Sequence, residues 1–195
     1  MKKTLLYSLH IFKNHVLTFF IFFVFMYMYF GLFKRPTALL ITGIIISFLY
    51  CYGFWSSGRF YAKSKKNLTL QEGIIATLIA VIPSVIIFIL AYNALSFDNK
   101  WRINTSWQNV LFRVWNSPFI GIYSWAESKA SIMHNIQILK NAYLVSVFFL
   151  PVSNILGFVV GILEKRNIIK LPEFTYSQRK NVRNKNNPNK TGRTY

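Results

Sequence analysis

The sequence predicts an all-α membrane protein with about four transmembrane helices, interfacial amphipathic helices between the third and fourth, and a disordered basic C-terminal tail. Three observations carry that expectation. Hydrophobic residues make up 53% of the 195 and charged residues only 14%, against about 25% charged in soluble domains. Every charged side chain lies outside four stretches, 14–33, 36–58, 73–97 and 141–163. Each stretch holds 20 to 25 residues, and about 20 apolar residues rising about 1.5 Å each are what a hydrocarbon core about 30 Å thick requires. A soluble bundle buries shorter, amphipathic helices, and this chain has too few polar residues to clothe so apolar a core.

Residues 1–15 read as a cytoplasmic lead-in. Their start imitates a signal peptide, but His10 and Lys13 break the apolar run and no small-x-small cleavage site follows. Span one, 16–33, is dense in Phe and Tyr with Gly31 its one small residue. Bulky on all sides, it is expected outermost, facing lipid or a partner. Lys34, Arg35 and Pro36 make so short a connection that spans one and two form an antiparallel hairpin, with Pro36 or Thr37 suited to opening the second helix. Span two covers 37–55. A polar stretch follows, in which Thr69 and Glu72 fit a capping box opening span three, 73–95.

The segment 98–140 is too long for a turn. Thr105 and Gln108 have capping-box spacing; Trp107, Leu111, Val114 and Trp115 then share a helical face opposite Asn109, Arg113 and Asn116, and Pro118 ends that helix. A second pattern, Ile122, Trp125, Ile132, Ile136 and Leu139, leads to span four, 141–163. Four of the five Trp residues lie here, and Trp favours the membrane–water interface, so both helices are placed on the membrane surface. The domain 16–163 is followed by residues 164–195, with nine Lys or Arg and little to bury. Such a tail cannot offset its ordering entropy and is expected to be disordered beyond Pro172.

Four spans put both termini on one side, and the Lys/Arg bias selects it. The N-terminal segment, second loop and tail carry 16 of the 23 cations and the other two connections 7. Both ends are therefore expected in the cytoplasm, with the chain in the plasma membrane. A net charge of +18 would suit a phosphate backbone. These cations flank spans, however, where orientation and attraction to anionic lipid heads account for them. Anionic lipid at the basic tail is the expected partner, and nucleic acid is not.

Catalytic chemistry finds little to stand on. The acids Glu72, Asp98, Glu127, Glu164 and Glu173 are scattered outside the expected spans, and His10, His15 and His134 have no partner at metal-ligand spacing. Cys51, the only cysteine, reads as a packing residue. No catalytic, cofactor or metal residues are assigned.

Two other patterns stand out. Small residues recur every four positions: Gly43, Ser47 and Cys51 in span two, Ala76, Ala80 and Ser84 in span three, Ser153, Gly157 and Gly161 in span four. Such strips let helices approach closely in lipid, where packing drives association, so spans two to four are expected to pack together. Polar residues also reach mid-depth, at Ser84 beside Pro83 and at Asn154 near Pro151. They either satisfy the carbonyls that proline frees or line a small polar site at the midplane. The leading functional expectation is a non-catalytic accessory or scaffold subunit, packed with another membrane protein or with itself. The alternative is a transporter or channel protomer with its site near Ser84 and Asn154. A third is a lipid-active enzyme using His134, Glu127 and Lys129 at the outer interface.

Overall fold

A backbone N–H or C=O left unpaired in hydrocarbon costs several kcal/mol, which makes helices the form that long apolar runs take in a bilayer. The computed structural model describes residues 2–32, 36–64, 68–98, 103–104, 106–169 and 171, with backbone alone at 25–32 and 36–39. The tail expected to be disordered beyond Pro172 lies outside them. The described residues form six α-helices: α1 (Lys2–Leu32), α2 (Pro36–Lys63), α3 (Leu70–Ala94), α4 (Trp107–Trp115), α5 (Ile120–Ile132) and α6 (Gln137–Lys165). A short 3-10 turn, Ser117–Phe119, joins α4 to α5. Four segments are long and apolar enough to cross a membrane: Lys2–Val24, Leu40–Lys63, Leu70–Ala94 and Gln137–Lys165. The protein is an all-α, four-span membrane fold.

Helix ends follow local chemistry. Thr69 accepts the Glu72 N–H at 3.2 Å while the Glu72 carboxylate accepts the Thr69 N–H at 2.8 Å, so the expected capping box opens α3. At α4 the N-cap is Ser106, whose hydroxyl accepts the Asn109 N–H; Thr105 lies outside the described residues. After α6 the chain turns through Asn167, at φ 58°. There the Asn167 and Ile168 N–H groups bond the Glu164 and Leu163 carbonyls, a Schellman closure.

Two helices run further than their apolar stretches. α1 starts at Lys2 and not near Val16, and α2 continues past Trp55 to Lys63. The cause is visible between them. Asn14 donates to the Ser57 hydroxyl at 3.1 Å and His15 meets the Tyr50 hydroxyl at 2.5 Å. Polar residues that read as breaks in a hydrophobic run are tolerated inside a span when a neighbouring helix supplies their partners.

α6 is the common partner: α2 lies along one side of it and α3 along another, α1 packs on α3, and α1 touches α2 only lightly. One end of the bundle therefore gathers the starts of α1 and α3 with the ends of α2 and α6, and its cations make it the basic end. At the opposite end the α4–α5 hairpin folds back into the bundle, α4 on α3, α5 on α2 and α6, and the turn between them on α1 and α2. Its tip goes deep. Ser47, 11 residues into α2, lies 2.9 Å from the Pro118 carbonyl, and Ser84, ten residues before the end of α3, binds Trp115. Either position is about 15 Å from its helix end. Ser117, Pro118 and Phe119 are buried, as a break between two α-helices at that depth must be. α4 directs its polar Asn109 inward, with Asn116 buried just past its end, and exposes Trp107, Val110 and Leu111, the polarity that suits a lipid surround.

A buried polar hub as the candidate functional site

Asn154 sits one turn after Pro151 in α6 and is wholly buried. Its Oδ1 accepts the Tyr7 hydroxyl at 2.8 Å and the Thr77 hydroxyl at 2.9 Å, and its Nδ2 donates to the Phe54 carbonyl at 3.1 Å. Thr77 is equally close to the Gly73 carbonyl, at 2.9 Å, so one hydroxyl proton serves two acceptors. A single side-chain amide thereby connects α6 to α1, α2 and α3. Tyr7 stacks on Tyr61 at 4.1 Å beside it.

Glycines bring the carrier helices to backbone contact around that amide. A Cβ on Gly157 would overlap the Trp55 carbonyl, one on Gly161 the Arg59 carbonyl, and one on Gly58 the Asn154 carbonyl. Gly157 and Gly161 belong to the span-four ladder, whose third member is Ser153. Gly43 and Ser47 face elsewhere. A Cβ on Gly43 would lie 2.6 Å from the Gly121 Cα of α5, and Ser47 is within reach of both the Gly43 and Pro118 carbonyls. Ala76, Ala80 and Ser84 are buried on α3.

Ser84 and Asn154 have separate partners. The Ser84 hydroxyl accepts the Trp115 indole N–H at 2.8 Å, seven residues and about 10 Å further along α3 than Thr77. Trp115 in turn packs 4.9 Å from the His15 ring. The α1–α2 seam holds His15, Tyr50, Asn14 and Ser57, with a side cleft of about 260 Å3 lined by Asn14, Leu17, Thr18, Phe22, Leu49, Tyr50, Gly53 and Phe54.

Nearer the opposite end, Arg113 donates to the Tyr143 hydroxyl at 2.8 Å and pairs with Glu127 at 2.7 Å. Burial opposes its charge, but Tyr143 and Glu127 outweigh burial and hold the guanidinium above its ordinary pKa. Glu127 is thus engaged by Arg113, while His134 and Lys129 are exposed. At the basic end Glu164 receives Arg59, through Nε at 2.7 Å, and Lys63 at 3.5 Å. Among the described residues no three His, Cys, Asp or Glu side chains group closely enough to hold a metal.

Sequence reasoning singled out Asn154 but not Tyr7, Thr77, Phe54 or Gly58. A signal for one of them exists: Tyr7, Ile11, Asn14 and His15 repeat at helical spacing across the supposed lead-in. Compared with family models, curated proteins and solved structures, the chain matches none.

Proposed function

We propose that this chain is a multi-pass plasma-membrane protein that acts by association, as a non-catalytic accessory or scaffold subunit with both termini in the cytoplasm. The observation that carries the reading is the complete burial of Asn154 with bonds to three other helices. Its Oδ1 and Nδ2 are both bonded to other helices and so hold the spans together. Ser84 is likewise spent on Trp115. The Lys/Arg bias towards the basic end supports the orientation. Exposed Leu, Ile and Phe along α1, α2, α3 and α6 supply the surface that lipid or a partner helix would cover.

The test combines partner retention with flux. In mild detergent the chain is expected to migrate as an assembly larger than its 22.8 kDa, cross-linked to a second polypeptide or a second copy. Reconstituted vesicles should show no solute flux above empty ones. A monomeric chain whose flux disappears in a folded Asn154→Leu variant would replace this reading with transport.

A further inference from the structure

The cleft beside the α1–α2 seam lies at mid-depth. Asn14, Thr18, Tyr50 and Gly53 line it, and Asn14 and Tyr50 fall near the middle of the apolar segments Lys2–Val24 and Leu40–Lys63. Leu17 and Leu49, also in the lining, are exposed, so the cleft opens sideways to hydrocarbon. Three polar groups there keep unused hydrogen-bonding capacity. Asn14 Nδ2 reaches both Ser57 Oγ, at 3.1 Å, and His10 Nε2, at 3.2 Å. His10 lies one turn nearer the basic end than Asn14, and Ser57 one turn nearer it than Gly53, so Oδ1 turns the other way and has no donor among the described residues. Thr18 donates to the Asn14 carbonyl at 2.6 Å, which leaves its own lone pairs open. Tyr50 meets His15 Nδ1, while His15 Nε2 is buried without a partner among the described residues. A buried N–H is the costlier group to orphan, so the ring proton sits on Nδ1 and is donated to Tyr50, whose own O–H is left to donate elsewhere. A polar group unpaired in hydrocarbon costs several kcal/mol.

We propose that this cleft binds the hydroxyl end of a neutral lipid alcohol, its O–H donating to Asn14 Oδ1 and its oxygen accepting from Tyr50, with the chain leaving past Leu17 and Leu49. Three observations favour that occupant. A hydroxyl donates and accepts at one atom, which is what Asn14 and Tyr50 together leave unmet. The lining carries no charge among the described residues, and an ionised head group at mid-bilayer is costly. The volume, about 260 Å3, holds a small group and the first part of a chain but not a partner helix about 10 Å across. The site adds a ligand to the associating role proposed above and does not depend on it.

The experiment is photolabelling of the full chain in lipid nanodiscs with hexadecanol carrying a diazirine near its hydroxyl, beside hexadecane and hexadecanoate carrying the same group. Hexadecanol is expected to concentrate on residues 14–22 and 49–54, while hexadecane spreads over the lipid-facing surface and hexadecanoate stays at the membrane–water interface. Tyr50→Phe keeps the ring and should lower the preference for hexadecanol about fivefold, the loss of one neutral hydrogen bond. Ser57→Ala removes the α2 partner of Asn14 but leaves Oδ1, and should keep the preference. Gly53→Leu fills the cleft and should abolish it, with circular dichroism to check the fold of each variant. Equal labelling by hexadecanol and hexadecane, the result if water alone serves these polar atoms, overturns the site. Undiminished labelling of folded Gly53→Leu and Tyr50→Phe does so too, as does a loss in Ser57→Ala as large as in Tyr50→Phe, which would make both residues parts of the seam alone. Labelling of the cleft by hexadecanoate as strong as by hexadecanol would overturn the neutral class of ligand.

Discussion

Two seams run along α2, and they are built from opposite materials. Towards α6 the contact is glycine on carbonyl, with Gly58, Gly157 and Gly161 leaving no room for a methyl group. Towards α1 it is aromatic and polar, with Tyr50, Phe54 and Phe22 around His15 and Asn14, and it leaves a side cleft. In lipid no water is expelled when helices meet, so association depends on close packing or on hydrogen bonds. The α6 seam uses the first at its glycines and adds the Asn154–Phe54 bond to it. The α1 seam uses the second and stays ajar. A Cβ on Gly53, which borders the cleft, would meet nothing within 4 Å, whereas one on Gly157 would collide with rigid backbone.

The largest effect should come from Gly157. Even Gly157→Ala forces α2 and α6 apart, because the obstacle is the Trp55 carbonyl and not a side chain that can swing away. The expected loss is about 1–3 kcal/mol, the range for overpacking a tight core, and Gly157→Leu should abolish accumulation of the protein. Unfolding in a mixed-detergent series measures the first and membrane abundance the second. Wild-type stability for Gly157→Ala would mean the seam is looser than this geometry.

Asn154→Leu should rank next. It removes three hydrogen bonds, each worth about 0.6 kcal/mol on average between membrane helices. The combined loss is about 1–2 kcal/mol by that figure, with assembly retained. A double-mutant cycle with Tyr7→Phe isolates the α1 bond. Zero coupling in that cycle would detach α1 from the hub.

The sequence made these features legible to different degrees, for physical reasons. A span announces itself because lipid demands some 20 apolar residues, and all four were visible. The glycines of α6 stood out because they interrupt a bulky apolar run. Gly58 did not, since it lies among Ser56, Ser57 and Arg59 in a stretch that reads as a loop. Nor did the first turns of α1, where Ser8, His10, Lys13 and Asn14 look like solvent-facing residues. The partner of Asn14 lies far away in sequence, at Ser57, and a pairing of that kind carries no local periodicity. The inward dip of the α4–α5 turn was hidden in the same way. Pro118 marks a helix end, but the depth at which it ends depends on Ser47 and Ser84 in other helices.

That dip gives a smaller effect with a sharp readout. Trp107 is 65% exposed on the outer strip of α4, while Trp115 is bonded to Ser84 and ringed by Phe12, His15 and Phe19. In single-Trp variants, brominated lipid should quench Trp107 strongly and Trp115 weakly. Ser84→Ala should cost about 0.6 kcal/mol, one interhelical bond, and shift the Trp115 emission. Equal quenching of the two would place the α4–α5 tip in lipid and not in the bundle.

The smallest effect, at Gly53, is also the control for the whole comparison. In a soluble helix Gly→Ala gains roughly 0.5–1 kcal/mol from backbone entropy. That gain should largely vanish here, because helices separated within a bilayer remain helical and the propensity term appears on both sides of the equilibrium. What remains is packing, and the space before Gly53 is open. Gly53→Ala should therefore leave stability unchanged in the same mixed-detergent series that unfolds Gly157→Ala. Gly53→Leu should be tolerated too, its side chain entering the cleft of about 260 Å3 between α1 and α2. If Gly53→Ala cost as much as Gly157→Ala, α1 would have to close onto α2 as tightly as α6 does, and the contrast between the two seams would disappear.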